Sequence, residues 1–217
     1  MKSLFGTDGI RGEAGEFPLD AATVRIIGKS LADHLEESTG RSPSIVVGRD
    51  TRESGEWLER SLLSGAIEAG ANCLSAGVIT TPGVAYLTRV LNADAGVVIS
   101  ASHNPYQDNG IKIFAPTGQK IADSIERVIE DDIRSVASEE TPSTLDQVDY
   151  QRGQSDHELR ERYLSFLTDE IGAGLALSGL SMVVDCANGA SSNLAPTLFE
   201  SLGAKVVAIN ASPDGRN

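Results

Sequence analysis

The stretch from Ala95 to Phe114, AGVVISASHNPYQDNGIKIF, constrains the fold more than any other part of the chain. Its first six residues are small, apolar and β-branched, the pattern of a strand buried on both faces. The run then breaks into Ser100, Ser102, His103 and Asn104 ahead of Pro105, which lacks an N–H and turns Asn104 away from helical angles. A buried strand therefore feeds a special loop that cannot continue as a helix. Asp108, Asn109 and Gly110 form the strongest short turn signal in the sequence, and Ile111, Ile113 and Phe114 alternate with Lys112. The pattern predicts a hairpin that brings Lys112 back beside Ser102 and His103.

A hydroxyl, an imidazole and an ammonium on one loop and hairpin are the parts of a covalent phosphoryl relay. The hydroxyl carries the group, and the other two handle protons and charge. The same residues also suit a polar surface turn whose side chains bond their own backbone. Elsewhere, residues 5–12 set three glycines around Thr7, Asp8 and Arg11, a spacing for closely approaching backbone with projecting polar side chains. Arg11 is a phosphate-clamp candidate, or else the partner of a surface carboxylate. Arg49, Asp50, Thr51 and Arg52 follow a short strand, Ser44–Gly48, at the end where ligands gather in open α/β sheets. Either arginine could reach a substrate, or both could brace Asp50 in a salt-bridged turn.

Taken together, SASHNP (100–105) with DNGIKIF (108–114) resembles the phosphoserine loop of the α-D-phosphohexomutase family. FGTDGIRG (5–12) resembles the opening signature of the branch acting on glucosamine phosphates, and VGRDTRESG (47–55) a further family segment. CANGA (186–190) and PDGRN (213–217) are also similar to family segments, so the likeness runs along essentially the whole chain. The resemblance implies that phosphorylated Ser102 gives its phosphoryl group to glucosamine 6-phosphate, and that the bisphosphate turns over to leave glucosamine 1-phosphate. His103 and Lys112 are then the proton-transfer and charge-stabilising candidates and Arg11 the clamp. Gly9, Asn104 and Arg49 complete the expected phosphate and substrate contacts. The implied cofactor is Mg²⁺, with Ser102 on the metal and the aspartate-rich loop that holds it expected beyond Asn217, since family members are longer. The sugar-recognition loops are expected there too, so an isolated chain of this length is expected to be inactive. A mutase of mannose or glucose phosphates is the nearest alternative, and a non-catalytic binding fragment a second. A hydrolase is disfavoured: there is no G-x-S-x-G elbow, and the three histidines are His34, His103 and His157.

Element signals predict a three-layer αβα domain with a mixed, mostly parallel sheet. Val24, Ile27, Leu31 and Leu35 share one helix face after an Asp20 cap, and Trp57, Leu58, Leu62 and Ala66 another after Ser54. Thr80-Thr81-Pro82 reads as a helix start, and Ile125, Val128, Ile129 and Ile133 as a fourth apolar face. The polar, aperiodic residues 138–155 mark the expected boundary between a first domain, 1–150, and a linker helix with the incomplete start of a second, 151–217.

With 217 residues, 40% hydrophobic and 23% charged, the chain has the composition of a folded globular protein. Its net charge of −13 opposes binding to nucleic acid, whereas a small phosphorylated hexose or hexosamine needs only a local cluster of cations. No signal peptide or membrane span is visible, so a cytoplasmic protein without membrane contact is expected, with a homodimer as its candidate assembly. Cys73 and Cys186 read as reduced thiols rather than a disulfide or metal pair.

Overall fold

The computed structural model describes residues 3–136 and 154–217; the expected boundary at 138–155 lies largely outside them. The first unit contains β1 (Ile10–Glu13), α1 (Ala21–Thr39), β2 (Ser44–Arg49), α2 (Gly55–Glu68) and β3 (Asn72–Val78). It continues with α3 (Thr81–Val90), β4 (Ala95–Ile99), β5 (Asp108–Phe114) and α4 (Asp123–Val136). The strand order is β1-β5-β4-β2-β3. β4, β2 and β3 are parallel, and β5 runs antiparallel to both β4 and β1. The sheet is mixed, as expected, and β1 adds a second antiparallel pair that the glycine-rich opening had not signalled.

Two cores explain the apolar run at 95–99. Ile45 and Val47 of β2 and Ala95, Val97 and Ile99 of β4 pack on one face with Val24, Ile27 and Leu31 of α1, Leu58 and Leu62 of α2, and Ile129 and Ile133 of α4. Val46 and Val98, one residue out of step, enter the second core with Val84 and Leu87 of α3. Successive strand residues point to opposite faces, so a strand covered on both sides has no position left for a polar side chain. On α4, Val128 stands exposed rather than joining Ile129 and Ile133.

The Asp20 carboxylate caps α1 by accepting from the Thr23 N–H at 2.9 Å. Neither the Ser54 nor the Thr80 hydroxyl caps its helix. The Asn-Gly signal misled in a specific way: Asn109 and Gly110 lie inside β5, opposite Gly12 and Arg11 of β1, and the turn falls in the preceding loop. Asn109 is fully buried and donates to the Ser54 hydroxyl at 2.8 Å. A Cβ on Gly110 would lie 2.7 Å from the Ile10 carbonyl and 2.8 Å from that of Ser100. Glycine is required there for lack of space, not for a turn.

Beyond the first unit come α5 (Gln154–Ser165), a π-helical segment (Phe166–Ile171), β6 (Ser181–Asp185), α6 (Ala195–Ser201) and β7 (Lys205–Ile209). β6 and β7 form a parallel two-stranded sheet. Leu159 and Tyr163 of α5 belong to the second core of the first unit, and Tyr86 of α3 stacks on Phe166 with ring centroids 4.1 Å apart. No helix among the described residues is long and apolar enough to cross a membrane.

Candidate active site

Parallel pairing of β2 with β4 sets their carboxyl ends side by side, and the Asp50 N–H donates to the Ile99 carbonyl at 3.0 Å. The loops leaving those ends, Asp50–Arg52 and Ser100–Tyr106, line a cavity of about 640 Å³ together with the start of α3. Residues 187–191 and 215–217 of the second unit form its opposite wall. This is the crevice position at which open α/β sheets collect ligands. Hydrogen bonds and an ion pair join the walls: the Thr51 hydroxyl donates to the Asn188 carbonyl at 2.7 Å, the Glu53 N–H donates to the Gly215 carbonyl at 3.1 Å, and Arg216 forms a bidentate pair with Glu53 at 2.6 and 2.7 Å. The Glu53 carboxylate, through its hydrogen bond to Arg216, is held below the usual range.

Ser102 sits on the cavity wall, exposed, with φ 59°. Among the described residues its hydroxyl makes no backbone hydrogen bond, and its one neighbour of hydrogen-bonding range is His103 Nδ1 at 3.5 Å. A serine serving only as a turn residue would bond nearby backbone. The Ser102 N–H donates to the Ser100 hydroxyl at 3.0 Å, and that hydroxyl donates to Asp50 Oδ2 at 2.6 Å. Asn104, also on the cavity wall, donates through its side chain to the Asp108 carboxylate at 2.8 Å.

Arg11 and Lys112 are brought together, but around Asp8: the Lys112 ammonium lies 2.6 Å and the Arg11 guanidinium 2.9 Å from the same carboxylate oxygen. Hydrogen bonding to Lys112 first, and then Arg11, outweighs partial desolvation and holds Asp8 below the usual carboxylate range. Neither cation lines the cavity that contains Ser102; Arg11, with Asp8 and Gly9, lines a neighbouring one of about 540 Å³. A Cβ on Gly9, whose φ is 87°, would stand 2.2 Å from the Ile111 carbonyl. Gly9 therefore lets the opening loop lie against β5 beside Lys112.

Arg49 turns away from the cavity, its Nε donating at 2.9 Å to Glu59, a carboxylate almost wholly buried. Arg52 holds the loop itself. Its Nε donates to Asp50 Oδ2 at 3.0 Å, and its terminal nitrogens donate to the carbonyls of Ser102 (2.9 Å), Asn104 (2.8 Å), Asp108 (2.9 Å) and Pro105. The sequence pattern flags Arg52 only as one of two arginines beside Asp50. A contact with a loop fifty residues away has no local signature. Cys73 and Cys186 are both free, and burial pushes the Cys73 thiol up to about 12.

An α/β/α unit with a left-handed serine exposed at the carboxyl end of its central strand fits the resemblance drawn from the motifs. Residues 2–140 match the family Phosphoglucomutase/phosphomannomutase, alpha/beta/alpha domain I, and the chain belongs to that family. Within it, the chain is 45% identical over 217 residues to a protein of Syntrophus aciditrophicus named phosphoglucosamine mutase, covering all of this chain and 48% of the relative. The phosphoglucosamine mutase of Solibacter usitatus is 46% identical over 221 residues, again across the whole chain and 47% of the relative. The chain thus spans about half the length of the curated relatives it matches. A crystal structure of a Phosphoglucomutase/phosphomannomutase family protein from Burkholderia thailandensis superposes with a TM-score of 0.77 at 29% identity, covering 99% of this chain and 45% of that one. The open form of pp63/parafusin from Paramecium, at 17% identity and a TM-score of 0.63, shares the fold.

Proposed function

We propose that this chain carries the phosphoserine part of a mutase that converts glucosamine 6-phosphate to glucosamine 1-phosphate, with Ser102 as phosphoryl carrier. The observation that carries the reading is the Ser102 hydroxyl, open at the cavity wall and free of backbone bonds. The choice of glucosamine follows the name borne by relatives 45% and 46% identical to it. In the first step the sugar O1 attacks the phosphorus of phosphorylated Ser102. The O1–P bond forms, the Oγ–P bond breaks, and the proton lost by O1 is made up on Oγ. After the bisphosphate reorients, Oγ attacks the phosphorus on O6, the O6–P bond breaks, and O6 takes the proton. His103, 3.5 Å from Oγ, is placed to relay that proton. Lys112 and Arg11 offer positive charge to a phosphate that displaces Asp8 from them.

The expected Mg²⁺ finds no complete site here: among the described residues no group of three or more His, Cys, Asp or Glu side chains could hold a metal ion. With no such donor set among the described residues, the chain by itself is expected to give no net turnover of glucosamine or glucose phosphates. A small phosphorylated hexosamine suits the site better than nucleic acid, since a net charge of −13 repels a polyphosphate backbone.

Incubating a protein that spans the whole length of the relatives with glucosamine 1,6-bisphosphate, followed by intact-mass analysis, tests the proposal. One phosphate adduct mapped to Ser102 is expected. The Ser102→Ala protein should remain folded yet lose activity by orders of magnitude. Activity near wild type in that variant would place the relay elsewhere, and preferential turnover of mannose phosphates would transfer the assignment to the neighbouring branch.

A further inference from the structure

We infer that Arg52 is a positioning residue that fixes the backbone of Ser102, and so the readiness of that serine to carry a phosphoryl group; the second half rests on the carrier role proposed above. A guanidinium has five N–H donors in a planar fork. In Arg52 all five are used: one on Asp50 and four on the carbonyls of Ser102, Asn104, Pro105 and Asp108. The side chain is only 9% exposed. Although Arg52 borders the cavity, no donor remains for a ligand, so its task is the loop and not the substrate.

The arrangement explains how a left-handed serine persists. L-residues other than glycine, asparagine and aspartate seldom occupy that region, and the surroundings must over-determine it. Here both sides of Ser102 are pinned. Its carbonyl accepts from Arg52, and its N–H donates to Ser100 Oγ, which donates in turn to Asp50. Asp50 closes the circuit, since its Oδ1 accepts from the Arg52 N–H and its Oδ2 from Arg52 Nε. A single ion pair at the end of β2 thus reaches Ser102 from both directions. Lysine cannot substitute, because a compact ammonium with three donors cannot span four carbonyls and a carboxylate.

The test compares wild type, Arg52→Lys and Arg52→Ala with Arg41→Lys. The last removes a bidentate arginine from Asp94, away from the cavity, and controls for general damage. Amide hydrogen exchange of residues 100–110 is read on the 217-residue chain, and phosphate acquisition at Ser102 from glucosamine 1,6-bisphosphate on the protein of full relative length. Arg52→Lys should speed exchange in the loop roughly tenfold or more, leave exchange in α1 and α2 unchanged, and slow phosphate acquisition about a hundredfold. Added methylguanidinium should partly restore acquisition in Arg52→Ala, and Arg41→Lys should match wild type in both readouts. Loop exchange and acquisition within twofold of wild type in Arg52→Lys overturn the inference. If wild type itself takes no phosphate, the carrier role fails, while loop exchange still decides whether Arg52 positions the serine. Should neither Arg52 variant fold, NMR exchange of the wild-type Arg52 Nε–H replaces them. Protection well above that of Arg41 is expected, and equal exchange overturns the inference.

Discussion

Ser102, with φ 59°, occupies a backbone conformation that costs an L-residue about 1–2 kcal/mol. Replacing its side chain separates that cost from the chemistry of its hydroxyl. Ser102→Gly should be about 1 kcal/mol more stable than Ser102→Ala in urea unfolding, because glycine enters the left-handed region freely and alanine does not. Both should lose phosphate acquisition. Equal stabilities would mean that the loop does not keep this conformation in solution. Glu130 supplies a second test at this scale. Burial pushes its carboxyl up, but the Ser3 hydroxyl, the Phe5 and Leu4 N–H groups and Arg134 prevail and hold it below its ordinary value of 4.5. A depressed carboxylate pKa contributes stability that is complete above the unfolded-state value and fades as pH falls through the folded-state value. Wild type should therefore lose stability as pH drops below about 4.5. Glu130→Gln should be destabilised by about 1–3 kcal/mol at pH 7 and show a flatter acid limb. A melting curve for Glu130→Gln that parallels wild type from pH 7 to 3 would remove Glu130 from this role.

At the scale of elements, α1 and α2 approach so closely that glycine is obligatory on both. A Cβ on Gly28 would lie 2.0 Å from the Leu62 carbonyl oxygen, and one on Gly65 would lie 1.9 Å from that of Arg25. In an isolated helix, Gly→Ala is favourable by about 1 kcal/mol. Here the sign should reverse: Gly65→Ala must force the helices apart, at a cost of about 1–3 kcal/mol. Chemical denaturation measures this directly, and a stabilised variant would refute the close approach. Two glycines inside apolar helix patterns look like weak points in the sequence, and only the paired helices show what they permit. The apolar faces of these helices were legible because a helix buries positions three and four apart on one side. The Asn109-Gly110 pair was not, since a buried amide and a glycine squeezed between two carbonyls imitate turn chemistry without performing it.

Across the whole molecule, the cavity depends on both units, because Arg216 and residues 187–191 face the Ser102 loop from the second. That second unit is thin: Val183, Val207 and Ile209 of its two-stranded sheet are exposed. Helix α5, which follows the expected boundary in the chain, nevertheless packs Leu159 and Tyr163 into the core under β3 and α3. A chain ending at residue 150 should accordingly melt at lower temperature than one ending after Ile171 and bind a hydrophobic dye on the uncovered α3 face. Equal melting temperatures would show that α5 adds nothing to the first unit.

By itself the sequence determined the αβα architecture and the doubly covered strand β4, because alternating and helical hydrophobic periods are local properties written into neighbouring residues. It also marked Ser102, His103 and Asn104 as one exposed loop, since Pro105 and the end of the apolar run are local signals too. Tertiary structure alone decided which cations meet which partners. Asp8, in the opening loop before β1, takes Lys112 of β5, and Arg52, just after β2, spans fifty residues to hold the serine loop that follows β4. Those choices follow from strand order: setting β2 beside β4, and β5 beside β1, places the ends of distant segments within hydrogen-bond reach. No spacing along the chain encodes that adjacency.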